Sequence, residues 1–149
     1  IKLAESSQDI DEYIINLAKK NSLVEGLQAL EGNSITVHLS CHSRAQNIGP
    51  KSAQMLKLIP NSSINVVDRC SGHGGSWGVK KDNFHTALQV GKIPTKNSMK
   101  FDANYFASTC PLAGEHMKQI SEKEVNKDLN SLEKAYHPIE LLALSYGLK

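Results

Sequence analysis

Three times along the chain a β-rich run leads straight into a cysteine. Residues 34 to 41 read SITVHLSC, residues 63 to 70 read SINVVDRC, and residues 104 to 110 read NYFASTC. In the first, Ile35, Val37, Leu39 and Cys41 alternate with Thr36, His38 and Ser40, the two-residue period of a strand. Helical patterns fill the intervals. KSAQMLKLI, residues 51 to 59, lies between Pro50 and Pro60. VKKDNFHTALQVG, residues 79 to 91, carries Phe84, Ala87 and Leu88 on one side; Gly91 is its expected C-cap, and a connection containing Pro94 and lysines follows. Alternating strands and helices imply right-handed crossovers, so the expected fold is α/β: a three-layer Rossmann-like domain with a mainly parallel sheet and helices on both faces. All strands of such a sheet point the same way. Cys41, Cys70 and Cys110 are therefore expected along one rim, at the carboxyl ends of the strands, where open α/β sheets bind ligands.

Two more helices are expected near the ends. SQDIDEYIINLAKK, residues 7 to 20, opens with a capping serine, places Ile10, Ile14 and Leu17 on one stripe, and ends in lysines that suit the helix dipole. HPIELLALSYGL, residues 137 to 148, has proline in its first turn and Gly147 at its end. The polar stretch from Ser121 to Lys134 reads as a solvated helix or a connection.

With 149 residues the chain has the size of one domain, so residues 1 to 149 are read as a single unit; because it begins with Ile1, it is expected to be the C-terminal part of a longer protein. Seventeen basic against fifteen acidic residues leave a formal charge of +2, too small to argue for nucleic acid or a membrane surface. No apolar run approaches the roughly 20 residues of a membrane helix, and no leader is visible, which makes the cytoplasm the expected location. Three cysteines are a sparse, odd set. Metal binding or thiol chemistry suits them better than a secreted disulfide scaffold.

Cys70 opens the most informative stretch. RCSGHGGSWG, residues 69 to 78, surrounds it with four glycines, and Gly72 and Gly74 permit close backbone approach to something held by sulfur. Arg69 and His73 place positive charge nearby, a setting that favours thiolate. Cys41 has His42 beside it and Arg44 three residues on; Arg44 and Arg69 are the only arginines, and both adjoin cysteines. Their planar forks suit an anionic ligand. Soft sulfur ligands favour an iron-sulfur cluster or zinc over magnesium or calcium. A zinc site of three cysteines closed by His42, His73 or His116 is the second choice, since structural zinc usually uses short C-x-x-C pairs and none exists here. A four-iron cluster takes four cysteines, so three would leave one iron to a histidine, an outside ligand or another chain's cysteine. Elsewhere, His38 is expected to be satisfied in the core, His85 to be solvated, His137 to mark a helix entry, and Trp77 to pack the glycine loop against the sheet. Three rival readings stay open. One is a metal-free thiol protein with Cys70 as nucleophile and Cys41 or Cys110 resolving it. Another is an interaction subunit with a decayed site, and the last is an anion-binding module of Arg44, Arg69 and glycine-loop amides.

The stretches CHSRAQNIGPKSAQMLKLIP, RCSGHGGSWGVKKDNFHTALQVGK, STCPLAGEHMKQI and HPIELLALSYGL resemble the C-terminal region of CCG-type, cysteine-rich-domain iron-sulfur oxidoreductases. The likeness is to proteins of the heterodisulfide reductase B kind and to the cysteine-rich iron-sulfur component of anaerobic glycerol-3-phosphate dehydrogenase. It spans most of residues 30 to 149. It implies an oxidoreductase component that transfers electrons through an iron-sulfur centre, 4Fe-4S in the family, with a flavoprotein or rubrerythrin-like partner and at most a peripheral, partner-mediated link to the inner membrane. Matched by position, Cys41 is the motif's first cysteine, Cys70 keeps one of its adjacent pair, and Cys110 keeps one of its final C-x-x-C. Ser71 and Ala113 stand where the other two sulfurs would be, so the resemblance implies a reduced site of three thiolates.

Overall fold

The computed structural model describes residues 2–124 and 132–148. Helices α1 (Lys2–Ser6) and α2 (Ile10–Lys19) precede β1 (Ser34–His38), which feeds the short α3 (Cys41–Ala45) and α4 (Lys51–Leu56). Then come β2 (Ser63–Val67), the long α5 (Lys81–Met99), β3 (Tyr105–Ser108), α6 (Pro111–Glu124), β4 (Ala135–Tyr136) and α7 (Pro138–Ser145). The four strands are all parallel, in the order β2-β1-β3-β4. Helices α2, α4 and α7 pack together on one face, and α5 and α6 pack together on the other. The expected three-layer α/β architecture is what forms.

β1 sits at the centre and is buried on both faces. Ile35 and Val37 join Met55, Leu56, Ile59, Leu141 and Leu142 in the core under α2, α4 and α7. Thr36 and His38, on the opposite face of the strand, are each only 1% exposed. The polar half of the SITVH alternation therefore meets a second helical layer rather than water, as a central parallel strand requires. Chain direction reverses across the sheet at β1: the path steps from β1 out to β2, then crosses back to β3 and on to β4. A constant crossover hand sends the first connection over one face and the next two over the other. The loops after β1 and β3 consequently diverge, the place where such sheets open a crevice.

Several expectations need correction. The third helix does not stop at Gly91: α5 continues through Gly91 and Pro94 to Met99. Gly91 is buried there because a Cβ would overlap the Ser71 carbonyl and the Ile120 side chain, so packing rather than capping selects glycine. Cys41 is the first residue of α3 rather than the last of a strand. α2 begins later than expected and is capped by Asp9, whose carboxylate accepts the Asp11 N–H at 2.9 Å. Its buried residues are Asp11 and Ile15, while Ile10 is 44% exposed. β4 is an addition to the expected elements; Ser121–Glu124 belongs to α6, and residues 125 to 131 of the supposed solvated segment lie outside the described residues. Trp77 is 44% exposed and rests on Gly74 of its own loop rather than on the sheet.

The terminal helix is entered as expected at His137. Its ring accepts the Ile139 N–H at 3.3 Å, and Glu140 accepts the His137 N–H at 2.6 Å, a reciprocal cap. The C-terminal end is tied back to the segment before β1: Ser145 donates to the Gln28 carbonyl and Tyr146 to that of Val24, at 2.6 and 2.5 Å.

Asp11 is a costly buried group. It is 2% exposed, and its Oδ1 has no hydrogen-bond partner. Burial, helped by the charge of Asp9, pushes its carboxyl from 3.8 up to about 7. The folded chain then holds a proton that the unfolded chain has released, so this group's contribution is full below pH 4 and is lost as pH rises from about 4 to about 7. Asp11→Asn should match the wild type near pH 4 and exceed it by at least about 1 kcal/mol at pH 8, read by urea denaturation.

Candidate functional site

The sheet's register decides which residues meet beyond the strand ends. His38 pairs with Val67 of β2, so Cys41 and Cys70 each stand three residues past a paired position. On the other side His38 pairs with Ser108 of β3, which puts Cys110 opposite Ser40 instead, one residue short. The side chains follow this arithmetic. Cys41 and Cys70 are neighbours on the rim, close enough for Cys70 to act on the Cys41 thiol. Cys110 sits on the same rim in the next loop. Cys41 and Cys70 are exposed and Cys110 is half-buried.

A line of hydrogen bonds runs beneath the three cysteines. His38 Nε2 lies 2.9 Å from the Arg69 carbonyl, which can only accept, so this nitrogen carries the proton. Burial holds the His38 ring below its ordinary value, despite the Arg69 carbonyl and the nearby Asp68, and so favours the neutral ring. Nδ1 is then an acceptor for the Ser108 hydroxyl at 3.1 Å, and Ser108 Oγ accepts the Cys110 N–H at 3.3 Å. One buried imidazole thus joins the backbone beside Cys70 to the backbone of Cys110. The Leu39 N–H to Val67 carbonyl bond, 3.0 Å, ties the first two loops again.

A second tie links the loops after β1 and β3. Ser40 Oγ makes a short contact with Thr109 Oγ1, and Ser43 Oγ lies 3.4 Å from each of these two oxygens. All three side chains are buried. The exposed His42 reaches back to Ser40 Oγ through Nδ1 at 3.1 Å. The His137 ring is lowered chiefly by burial, with His42 adding to that effect and Glu140, Asp9 and the Thr109 backbone opposing it.

The glycine loop is shaped mainly by the protein itself. Gly72 has φ +81°, and a Cβ there would overlap the Ala87 carbonyl of α5. The loop therefore seats its backbone on α5, where Gly91 offers the matching gap below Ser71. Gly72 also donates its N–H to Cys70 Sγ at 3.4 Å. Gly74 contacts Trp77. His73 is buried and turns its ring edge-on to His116, with centroids 5.8 Å apart, and Phe84 also meets His116 edge-on, at 6.5 Å. His116 is lowered by burial, partly offset by its bond to the Ala87 carbonyl. Arg44 is committed to Asp68 at 3.0 Å, a half-exposed pair, so the anion-binding reading loses one of its two guanidinium groups. Arg69 is exposed, and it is its carbonyl that the rim network uses.

Burial pushes the Cys41 thiol up, the neighbouring Cys70 adds to this, and Arg44 opposes it. Among the described residues no group of three or more His, Cys, Asp or Glu side chains is placed to hold a single metal ion. The second choice, a closed zinc site of three cysteines and a histidine, is not formed by this arrangement. Ser71 and Ala113 are each 3% exposed and contribute no sulfur. His85 is solvated, as expected. Sequence reasoning missed the hydroxyl cluster of Ser40, Ser43 and Thr109 and the bridging role of His38; only the register, which needs the paired strands, reveals them.

The chain is similar to an uncharacterized iron-sulfur protein of Methanococcus maripaludis, with 28% identity over 105 residues that cover 64% of this chain and 21% of the relative. The chain thus spans about a fifth of that protein's length. No protein-family profile matches it, and no solved structure matches it. Among the described residues, no helix is long and apolar enough to cross a membrane.

Replacing His38 tests whether one ring couples the loops. His38→Ala should cost about 2–4 kcal/mol at pH 7.5, since it opens a cavity and strands the Ser108 hydroxyl. The lowered ring favours the fold fully above its unfolded value of 6.5, and that contribution is lost as pH falls below it. The variant should accordingly lose less stability than the wild type between pH 6.5 and 5, measured by denaturant titration.

Proposed function

We propose that this chain is an iron-sulfur redox module that passes electrons within an oxidoreductase complex, in the manner of the cysteine-rich iron-sulfur component of anaerobic glycerol-3-phosphate dehydrogenase. The observation that carries the reading is the placement of Cys41, Cys70 and Cys110 just beyond three adjacent parallel strands, on one rim. A cluster is larger than an ion and takes its thiolates on separate irons, so its ligands belong on separate loops rather than in one tight shell. Three soft donors from three loops fit that requirement in chemistry. They do not amount to the five sulfurs of the full family motif, because Ser71 and Ala113 replace two of them.

In this reading Cys41, Cys70 and Cys110 supply the sulfur ligands. His42, exposed beside Cys41, is better situated than His73 to complete the set, since His73 is buried against His116. A bound cluster would accept and release single electrons. The chain's own residues fix the ligand loops: His38 and Ser108 hold the spacing between strands, and Ser40, Ser43 and Thr109 lock the crevice between the loops after β1 and β3. The Gly72 amide on Cys70 supports negative charge on that sulfur. The neighbouring Val79 and Leu112, 64% and 61% exposed, flank a groove of about 340 Å³ between the glycine loop and α6 and suit a flavoprotein or rubrerythrin-like partner docking near the rim. The relative's name supports iron-sulfur binding in general.

Anaerobic purification followed by iron and acid-labile sulfide analysis tests the reading. Iron and sulfide in comparable amounts, with broad visible absorption that bleaches on reduction, is the expected result. Each of Cys41→Ser, Cys70→Ser and Cys110→Ser should lower bound iron to less than about half. A colourless protein without iron, even after reconstitution, overturns it.

A further inference from the structure

Two of the three thiols are neighbours. Cys41 and Cys70 face each other across the β1–β2 rim because the parallel register carries each the same distance past its last paired residue. Neighbouring strands run about 4.8 Å apart, and a disulfide spans Cα separations of about 4.4–6.8 Å, so two residues that leave adjacent strands level with each other start from a spacing a disulfide can bridge. Cys110 is excluded by the same arithmetic. Its register partner is Ser40, and the contact at that position is made by hydroxyls instead. Both members of the pair are exposed, and so within reach of a small reagent.

We propose that Cys41 and Cys70 form a thiol-disulfide exchange site that, in the metal-free chain, reduces low-molecular-weight disulfides and closes to an intramolecular bond, with Cys110 taking no part. Cys70 is the attacking sulfur: it accepts the Gly72 amide at 3.4 Å, while burial disfavours thiolate at Cys41. Its thiolate attacks one sulfur of the small disulfide, forms a mixed disulfide and releases one thiolate. Cys41, the neighbouring thiol, loses its proton to solvent and attacks Cys70 Sγ, which expels the second thiolate. The balance is one dithiol plus one disulfide giving one protein disulfide plus two small thiols. The two protein sulfurs are oxidised, and the two sulfurs of the reagent are reduced. The geometry thereby chooses Cys41 over Cys110 as the resolving residue.

The test uses the full chain, metal-free and fully reduced, with oxidised glutathione as the probe, quenched by alkylation and read by mass spectrometry. The expected product is lighter by two hydrogens, joins the peptides containing Cys41 and Cys70, and leaves Cys110 alkylated. Cys110→Ser should close within about twofold of the wild-type rate. Cys41→Ser should instead accumulate a stable glutathione adduct on Cys70. Closure that involves Cys110, no closure at all, or three thiols that each take up glutathione independently would overturn the proposal. Because no iron is present, a failure here leaves the cluster reading standing, and a protein that never binds iron leaves this reading standing.

Discussion

Strand register is the constraint on which the rest of this molecule depends. A parallel ladder fixes not only which residues pair but which ones face each other after pairing ends, because the chains leave the sheet in the same direction. With His38 opposite both Val67 and Ser108, two cysteines arrive level and the third arrives a step early. The identity of the residues is secondary to that count. His38 then fixes the count in place, since its two ring nitrogens engage the backbone or side chains of both flanking segments. A buried imidazole with both nitrogens satisfied is a rigid spacer, costly to remove because either neighbour would be left unpaired.

The glycine-rich loop shows how a feature that reads as ligand-binding can be demanded by packing. Gly72 and Gly91 are both sites where added bulk would strike backbone, and they press loop against helix. This close seat explains why α5 tolerates a glycine in its interior: the loop must lie low enough to bring Cys70 to the rim. Propensity loses to tertiary contact there. The two roles are compatible, since an amide freed by the same loop reaches the Cys70 sulfur.

Much of the architecture was legible in the order of elements. The alternation of SITVH, KSAQML, SINVV and the helix at Phe84 specified a parallel α/β sheet, and the strand ends specified the rim. Boundaries failed where long-range contact decides them, as at Gly91, buried under Ser71, and at Asp11, drawn into the core in place of Ile10. β4 is two residues long and carries no periodic signal at all. Within the site, proximity of the loops was readable but mutual distance was not, because a one-residue difference in register leaves no trace in either strand's own pattern. That is why the pairing of Cys41 with Cys70, and the separate hydroxyl cluster around Thr109, became visible only once the strands were paired.

The single-step offset of Cys110 also bears on how such a rim could change over descent. One residue inserted between Ser108 and Cys110 would bring all three sulfurs level without altering any side chain, and one removed after Val67 would unmake the existing pair. Loop length is therefore the vernier of this scaffold. Spacing between reactive groups can be retuned by indels at the strand exits, while the sheet, the core and the buried ring beneath them stay unchanged.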